Sequence, residues 1–140
     1  MVSQNPEKIP VKNFITSEEA SVFVANEIAA LIRARQREKK TCVLGLATGS
    51  TPTRVYDELV KLHKKKGLSF KNVYTFNLDE YYPMDPESLQ SYVRFMREYL
   101  FDHIDIPARN IHIPDGTVPK DKVATFCRSY EKKNSGPGWH

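Results

Sequence analysis

TCVLGLATGSTP, residues 41–52, joins an apolar run to a turn and a helix start. The nearly unbroken apolar run over residues 41–47 is typical of a strand buried on both faces of a parallel sheet. The polar residues that follow predict a turn over residues 48–52. Proline is favoured at the first helical position, where its missing N–H costs no hydrogen bond. We therefore expect Thr51 to cap a helix that begins at Pro52.

The predicted turn has the properties of an anion site. The backbone N–H groups of Gly49 and Ser50 should converge with the positive end of the helix dipole, and the hydroxyl groups of Thr48, Ser50 and Thr51 would add donors. Neither the GK[ST] of a Walker loop nor GxGxxG is present. An ordinary capped turn is the alternative. Its place at the carboxyl end of a parallel strand, where ligands of open α/β sheets bind, favours the anion site.

Helices and strands alternate on both sides of this stretch. Thr16 and Glu19 match a capping box, and they open a helix that continues to about Arg35. Its predicted apolar stripe is Val24, Ala25, Ile28, Ala29, Leu31 and Ile32. Downstream we predict a helix over 53–66 that stops at Gly67, a strand over 73–78, a helix over 88–103, a strand over 110–113 and a helix over 121–133. This order predicts an α/β fold with a Rossmann-like parallel sheet and flanking helices.

The number of predicted strands is small. About three strands are fewer than the five or six of a typical sheet, so we expect a small domain or a truncated piece of a larger one. The predicted divisions are an N-terminal arm over residues 1–13, an α/β domain over 14–133 and an atypical tail over 134–140.

Residues 76–82, FNLDEYY, place two acids at the end of the second strand, at the same edge as the turn. Neighbouring side chains in extended backbone point in opposite directions, so one of Asp79 and Glu80 should face the cleft while the other pairs elsewhere. A carboxylate between aromatic walls can act as a proton-transfer base; solvated acids at a strand end are the alternative. Ser91 and Tyr92 are candidate ligand contacts, unless Ser91 is exposed and Tyr92 belongs to the core.

Histidine and cysteine spacing predicts no metal site. Cys42, in the apolar strand, and Cys127, on the apolar face of the last helix with Val123, Phe126 and Tyr130, are expected to be buried structural thiols. The histidines are expected to be exposed at His63, structural near a helix C-terminus at His103, solvent-facing at His112 and terminal at His140.

Charge and hydropathy exclude some partners. The net charge of +4 comes from lysines and arginines that concentrate in residues 33–40 and 61–66, near predicted helix ends. Aromatic residues are not interleaved with them, so we expect no nucleic-acid partner. No apolar run is long enough for a bilayer, and residues 1–10 lack the apolar core of a signal peptide, so we expect no membrane association and a cytoplasmic location.

Five segments together resemble the glucosamine-6-phosphate deaminase (glucosamine-6-phosphate isomerase) family. They are LGLATGSTP, FNLDEYY, SYVRFM, LFDHIDIP and NIHIPDG, in the family's order and spacing between about Ile15 and Lys133. The resemblance implies a Rossmann-like fold of the deaminase, ribose-5-phosphate isomerase and CoA-transferase type. It also implies conversion of glucosamine 6-phosphate to fructose 6-phosphate and ammonia without a metal or an organic cofactor, and a homo-oligomer.

The resemblance assigns roles to individual residues. It implies that Thr48, Gly49, Ser50 and Thr51 hold the substrate phosphate. It makes Asp79 the base that moves a proton between C2 and C1, with Glu80 in support. Tyr130, in CRSYEKK, matches a tyrosine associated with allosteric regulation in some members; a buried helix aromatic is the alternative.

The family's GxGxDGHxxFNEP-like segment, which supplies the ring-opening histidine and acids, has no counterpart here. The chain resembles roughly the first half of a deaminase domain, and we expect little turnover by it alone. The competing interpretations are a 6-phosphogluconolactonase-like hydrolase, a non-catalytic sugar-phosphate-binding domain and a folded remnant without a ligand.

Overall fold

The computed structural model of the protein describes residues 8–136, so residues 1–7 of the predicted arm and 137–140 of the predicted tail, with His140, lie outside the described part. In chain order the elements are α1 (Ser17–Arg37), β1 (Cys42–Leu46), α2 (Ser50–Lys66), β2 (Val73–Asn77), α3 (Tyr92–Tyr99), β3 (Ile111–His112) and α4 (Val123–Asn134). Short 3-10 turns occupy Phe101–His103, Ala108–Asn110 and Lys120–Lys122. None of the described helices is both long and apolar enough to cross a membrane.

The three strands form one parallel sheet in the order β1-β2-β3. Helix α2 connects β1 to β2, which confirms the predicted α/β architecture. The β1–β2 register runs from Cys42 opposite Val73 to Leu46 opposite Asn77. Because the two strands end opposite each other, the turn after β1 and the loop after β2 leave the sheet side by side.

The main core lies on one face of the sheet. Residues in register on parallel strands share a face, and Cys42, Leu46 and Val73 point from the sheet into this core. The helices contribute Ala25, Ala29, Ile32, Tyr56, Leu59, Met96 and Leu100. Cys42 is a buried thiol, as predicted, and its burial raises the pKa of the thiol.

Helix α1 begins where the capping box predicts. The Thr16 hydroxyl accepts a hydrogen bond from the Glu19 N–H at 3.2 Å. The buried stripe is narrower than predicted, because Val24 and Leu31 are 40% and 46% exposed. The buried positions are Ala25, Ala29 and Ile32, and Val24 and Leu31 each precede one of them, on the flank of the buried stripe.

Helix α4 packs against the second face of the sheet through aromatic contacts. The Phe76 and His112 rings stack with centroids 4.3 Å apart, and Tyr130 meets Phe76 nearly edge-on at 5.9 Å. The predicted solvent-facing position of His112 is therefore wrong. Its Nδ1 lies 3.0 Å from the Thr75 carbonyl, and burial lowers the pKa of His112.

The prediction for Cys127 is also wrong, because this thiol is exposed. No residue of α4 is fully buried; Phe126 and Tyr130 are half-buried and make its aromatic contacts. Helical spacing identified the apolar side of α4, but it did not show how little of that side the sheet covers.

Helix α3 is shorter than the predicted helix over 88–103. Ser91 is buried and caps α3, since its hydroxyl donates to the Pro86 carbonyl at 2.6 Å and accepts from the Arg94 N–H at 3.0 Å. Leu89, inside the predicted helix, precedes the cap and is 82% exposed. His103 has the predicted structural role, with Nε2 2.7 Å from the Glu98 carbonyl near the helix C-terminus.

His63 is half-buried rather than exposed. Its Nδ1 lies 2.6 Å from the Leu68 carbonyl and 3.6 Å from the Asp105 carboxylate. Partial burial tends to raise the pKa of Asp105, but hydrogen bonds from the Phe70 N–H and the Ser69 hydroxyl, with His63 nearby, lower that pKa overall. The surrounding lysines of α2 concealed this tertiary contact in the sequence.

Candidate functional site

The anion turn, which we define as residues 48–51, follows β1 and leads directly into α2. Gly49 is the N-cap, with φ 111° and ψ 175°, and the helix begins at Ser50. This backbone region is essentially restricted to glycine. Thr51 is therefore not the cap, as we expected, but the second helical residue.

Pro52 is accordingly the third residue of α2 and not the first. Proline is compatible with that position because the early N–H groups of a helix have no intrahelical acceptor. The N-cap makes no side-chain hydrogen bond. The N–H groups of Gly49, Ser50 and Thr51 thus belong to the unpaired donors at the positive end of a 17-residue helix, which is a favourable environment for an anion.

Two side chains of α2 contact the backbone around the anion turn. The Tyr56 hydroxyl donates to the Ala47 carbonyl and accepts from the Ala47 N–H at 3.1 Å. The Thr53 hydroxyl donates to the Gly49 carbonyl at 2.8 Å. Neither residue was a sequence candidate. A buried tyrosine usually has a hydrogen-bond partner for its hydroxyl. The position of Tyr56 on the apolar side of the predicted helix could therefore have indicated a contact of this kind.

The acid loop, residues 78–84, follows β2 beside the anion turn. Its two acids diverge, as the alternation predicts. Asp79 is exposed, whereas the Glu80 carboxylate accepts hydrogen bonds from the N–H groups of Tyr92 at 3.0 Å, Val93 at 3.2 Å and Tyr81 at 2.9 Å. Glu80 therefore caps the N-terminus of α3 and ties the acid loop to it.

Tyr92 lies between the two segments. Interaction with the Tyr81 hydroxyl raises the pKa of Tyr92, the Thr48 hydroxyl lowers it, and the negative charge of Asp79 raises it further. The Tyr81 and Tyr92 rings are 4.9 Å apart. The structure thus brings together Thr48, Asp79 and Tyr92, which the sequence placed in three separate segments.

Ser91 and Tyr130 have clear structural partners. The Ser91 hydroxyl caps α3. It donates to the Pro86 carbonyl before the helix and accepts from the Arg94 N–H in the first turn. The Tyr130 hydroxyl donates to the carbonyls of Asn77 at 2.7 Å and His112 at 3.1 Å, and burial raises the pKa of Tyr130 to about 12. Tyr130 therefore supports the end of β2, two residues before Asp79.

The geometry combines unpaired backbone donors with an exposed carboxylate at neighbouring strand ends. The donors suit an anionic group, and the carboxylate can accept a proton from a ligand held beside them. The sequence profile of a family described as glucosamine-6-phosphate isomerases/6-phosphogluconolactonase matches residues 15–136. The chain belongs to this family.

Individual relatives agree with the family match and confirm the resemblance. A glucosamine-6-phosphate isomerase of Candida albicans is 45% identical over 120 residues, which cover 86% of this chain and 46% of that protein. The solved structure of a monomeric glucosamine-6-phosphate deaminase has a TM-score of 0.83 and 36% identity, covering 91% of this chain and 50% of that one. A 6-phosphogluconolactonase of Thermotoga maritima has a TM-score of 0.65 and 26% identity, covering 84% and 51%.

The chain spans less than half the length of the curated relatives it matches. The family members share the parallel α/β fold, and the described elements correspond to about half of the solved chains.

Proposed function

We propose that this chain contributes the phosphate-binding turn and the proton-transferring acid of a glucosamine-6-phosphate deaminase/isomerase. The observation that carries this proposal is the unpaired start of α2 at Gly49–Thr51 beside the exposed Asp79. The family match and the relatives named for glucosamine 6-phosphate support the choice of substrate.

The anion turn would hold the 6-phosphate of the substrate. Its backbone N–H groups and the hydroxyls of Thr48, Ser50 and Thr51 can donate hydrogen bonds to phosphate oxygens. The sheet geometry supports this location, since the turn follows the carboxyl end of β1, a parallel strand, and ligands of open α/β sheets bind at that end.

Asp79 would act as the base on the open-chain sugar. Its carboxylate takes the proton from C2 and returns it to C1 through an enediol-type intermediate, and hydrolysis at C2 then releases ammonia. Glu80 is unsuited to this step because its carboxylate is occupied at the start of α3. No metal or organic cofactor enters the proposed reaction.

Calorimetric titration with glucosamine 6-phosphate tests the phosphate site. We expect saturable binding that is weakened at least about tenfold by Ser50→Ala with Thr51→Ala, because two donors are lost. Glucosamine without phosphate should not bind measurably. Thr41→Ala is the control, since this exposed hydroxyl lies just before β1, at the opposite end of the strand from the turn. Equal affinity for glucosamine and its phosphate would contradict the proposal.

A second candidate is lactone hydrolysis, because the 6-phosphogluconolactonase of Thermotoga maritima shares the fold. The higher TM-score and identity of the deaminase structure favour the amino sugar. Parallel assays of ammonia release and lactone hydrolysis distinguish them. Ammonia release that persists in Asp79→Asn would remove Asp79 from its proposed role.

We also propose that Tyr130 takes part in allosteric regulation and that the chain forms a homo-oligomer, both of which the resemblance implies, and that its location is cytoplasmic. The related solved structure is of a monomeric deaminase, so sedimentation of this chain is the direct test of its oligomeric state.

A further inference from the structure

The hydroxyl of Tyr56 bonds the backbone just beyond the end of β1. Ala47 lies one residue beyond Leu46, the last residue of the β1–β2 register. Tyr56 is 3% exposed, and its hydroxyl bonds both the N–H and the carbonyl of Ala47. Burial raises the pKa of Tyr56, so the phenol is protonated and can donate at neutral pH.

Thr53 makes the second contact from the same helix. It precedes Tyr56 by three residues, which places both side chains on one side of α2. Its hydroxyl holds the Gly49 carbonyl at 2.8 Å. A trans peptide is planar, and its C=O and the following N–H point in opposite directions. Fixing the Ala47 and Gly49 carbonyls therefore fixes the directions of the Thr48 and Ser50 N–H groups.

We propose that Tyr56 and Thr53 are positioning residues for the anion turn. Their hydroxyls orient two peptide planes so that the N–H groups of Thr48 and Ser50 face the bound phosphate. Neither side chain needs to touch the ligand. The proposal rests on the phosphate site of the proposed function and adds the groups that preorganise it.

The test is calorimetric titration of the full chain with inorganic phosphate and with glucosamine 6-phosphate, in parallel with thermal unfolding. Tyr56→Phe keeps the buried ring and removes only the hydroxyl. We expect it to weaken binding of both ligands about tenfold, the effect of losing one or two hydrogen bonds. The Thr53 side chain is more exposed than that of Tyr56, so water can partly replace its hydrogen bond. Thr53→Val should therefore weaken binding only about threefold.

Two controls separate positioning from stability. Tyr82→Phe also removes a phenol hydroxyl from a backbone carbonyl, that of Val118 at 2.6 Å, but outside the anion turn. Ile32→Val removes one buried methyl group from α1 and lowers the melting temperature without touching the turn. Both controls should bind inorganic phosphate, which needs only the anion turn, as tightly as the unmodified chain.

Each outcome decides the proposal. Weaker phosphate binding in Tyr56→Phe and Thr53→Val, with unchanged binding in both controls, supports positioning. Unchanged affinity in both variants overturns positioning and leaves the phosphate site standing. If Tyr56→Phe does not fold, the affinity of Thr53→Val alone decides the matter in the same way. If the unmodified chain binds neither ligand, the proposed function and the positioning role are both overturned.

Discussion

The anion turn and the acid loop lie side by side at the end of the sheet, yet different kinds of contact hold them. The turn is held by residues close in sequence, because Tyr56 is only nine positions from Ala47. The acid loop depends on distant partners. Tyr82 donates to the Val118 carbonyl across 36 positions, and the Met84 N–H donates to the Gly116 carbonyl at 2.9 Å.

This difference has an energetic consequence. Closing a short segment costs little conformational entropy, so the turn can form together with α2. We expect the acid loop to become fully ordered only when the segment around residues 115–118 and the start of α3 have packed against it. We therefore expect substitutions far from the site to disturb the acid loop while the anion turn keeps its phosphate affinity.

Gly116→Ala should give the largest effect and disturb the acid loop. A Cβ at this position would lie 2.8 Å from the Met84 Cβ and 2.9 Å from the carbonyl oxygens of Met84 and Tyr81. We expect the free energy of unfolding to fall by about 2–3 kcal/mol, the cost of overpacking against backbone. Denaturant unfolding measures this loss, and titration with inorganic phosphate should show an unchanged affinity.

Gly45→Ala is the matched control for Gly116→Ala. No atom lies within 4 Å of a Cβ added at Gly45 in β1, so stability should change by less than about 0.5 kcal/mol. Similar losses in the two variants would show that close approach is not the reason for glycine at position 116.

Gly49→Ala tests the opposite side of the comparison, the locally held turn. The φ of 111° and ψ of 175° should make alanine unfavourable by about 1–3 kcal/mol. If the turn changes its conformation to accommodate alanine, the loss of stability is smaller and the phosphate affinity falls. Gly67→Ala is the control for phosphate affinity. Gly67 also has a positive φ, 68°, but it lies at the other end of α2, outside the site, so this variant should lose stability and keep its phosphate affinity. A variant of Gly49 with normal stability and normal phosphate affinity would contradict this interpretation.

Glu80→Gln should produce the smallest effect. The amide still accepts a hydrogen bond at the start of α3 but lacks the charge that favours the helix N-terminus, so we expect a loss of about 0.5–1 kcal/mol. Chemical denaturation measures it against Glu87→Gln, which removes an exposed carboxylate 3.2 Å from Arg97. A larger loss in Glu87→Gln would argue against the capping role of Glu80.

The sequence predicted the elements whose signals are local. The capping box at Thr16, the turn after β1, the stop at Gly67 and the parallel α/β order all agree with the structure. The cap at Gly49 was missed because proline marks the first turn of a helix without specifying which residue of that turn it occupies.

The incorrect predictions about burial share one cause, which is that burial depends on what packs against a residue. Cys127 lies on the apolar side of α4 and is nevertheless exposed, whereas His112 is stacked on Phe76. Residue type and helical spacing describe one element at a time. They contain no information about how closely a second element approaches.

By itself, the amino-acid order specified the alternation of strands and helices, the anion turn and the acidic pair, because these depend on backbone preferences within a few residues. Only the tertiary structure showed that Glu80 is occupied at the start of α3 while Asp79 stays exposed, and that Tyr92 lies near both Thr48 and Asp79. It did so because parallel strands bring distant segments to one edge, where available hydrogen-bond donors determine which carboxylate is occupied and which is exposed.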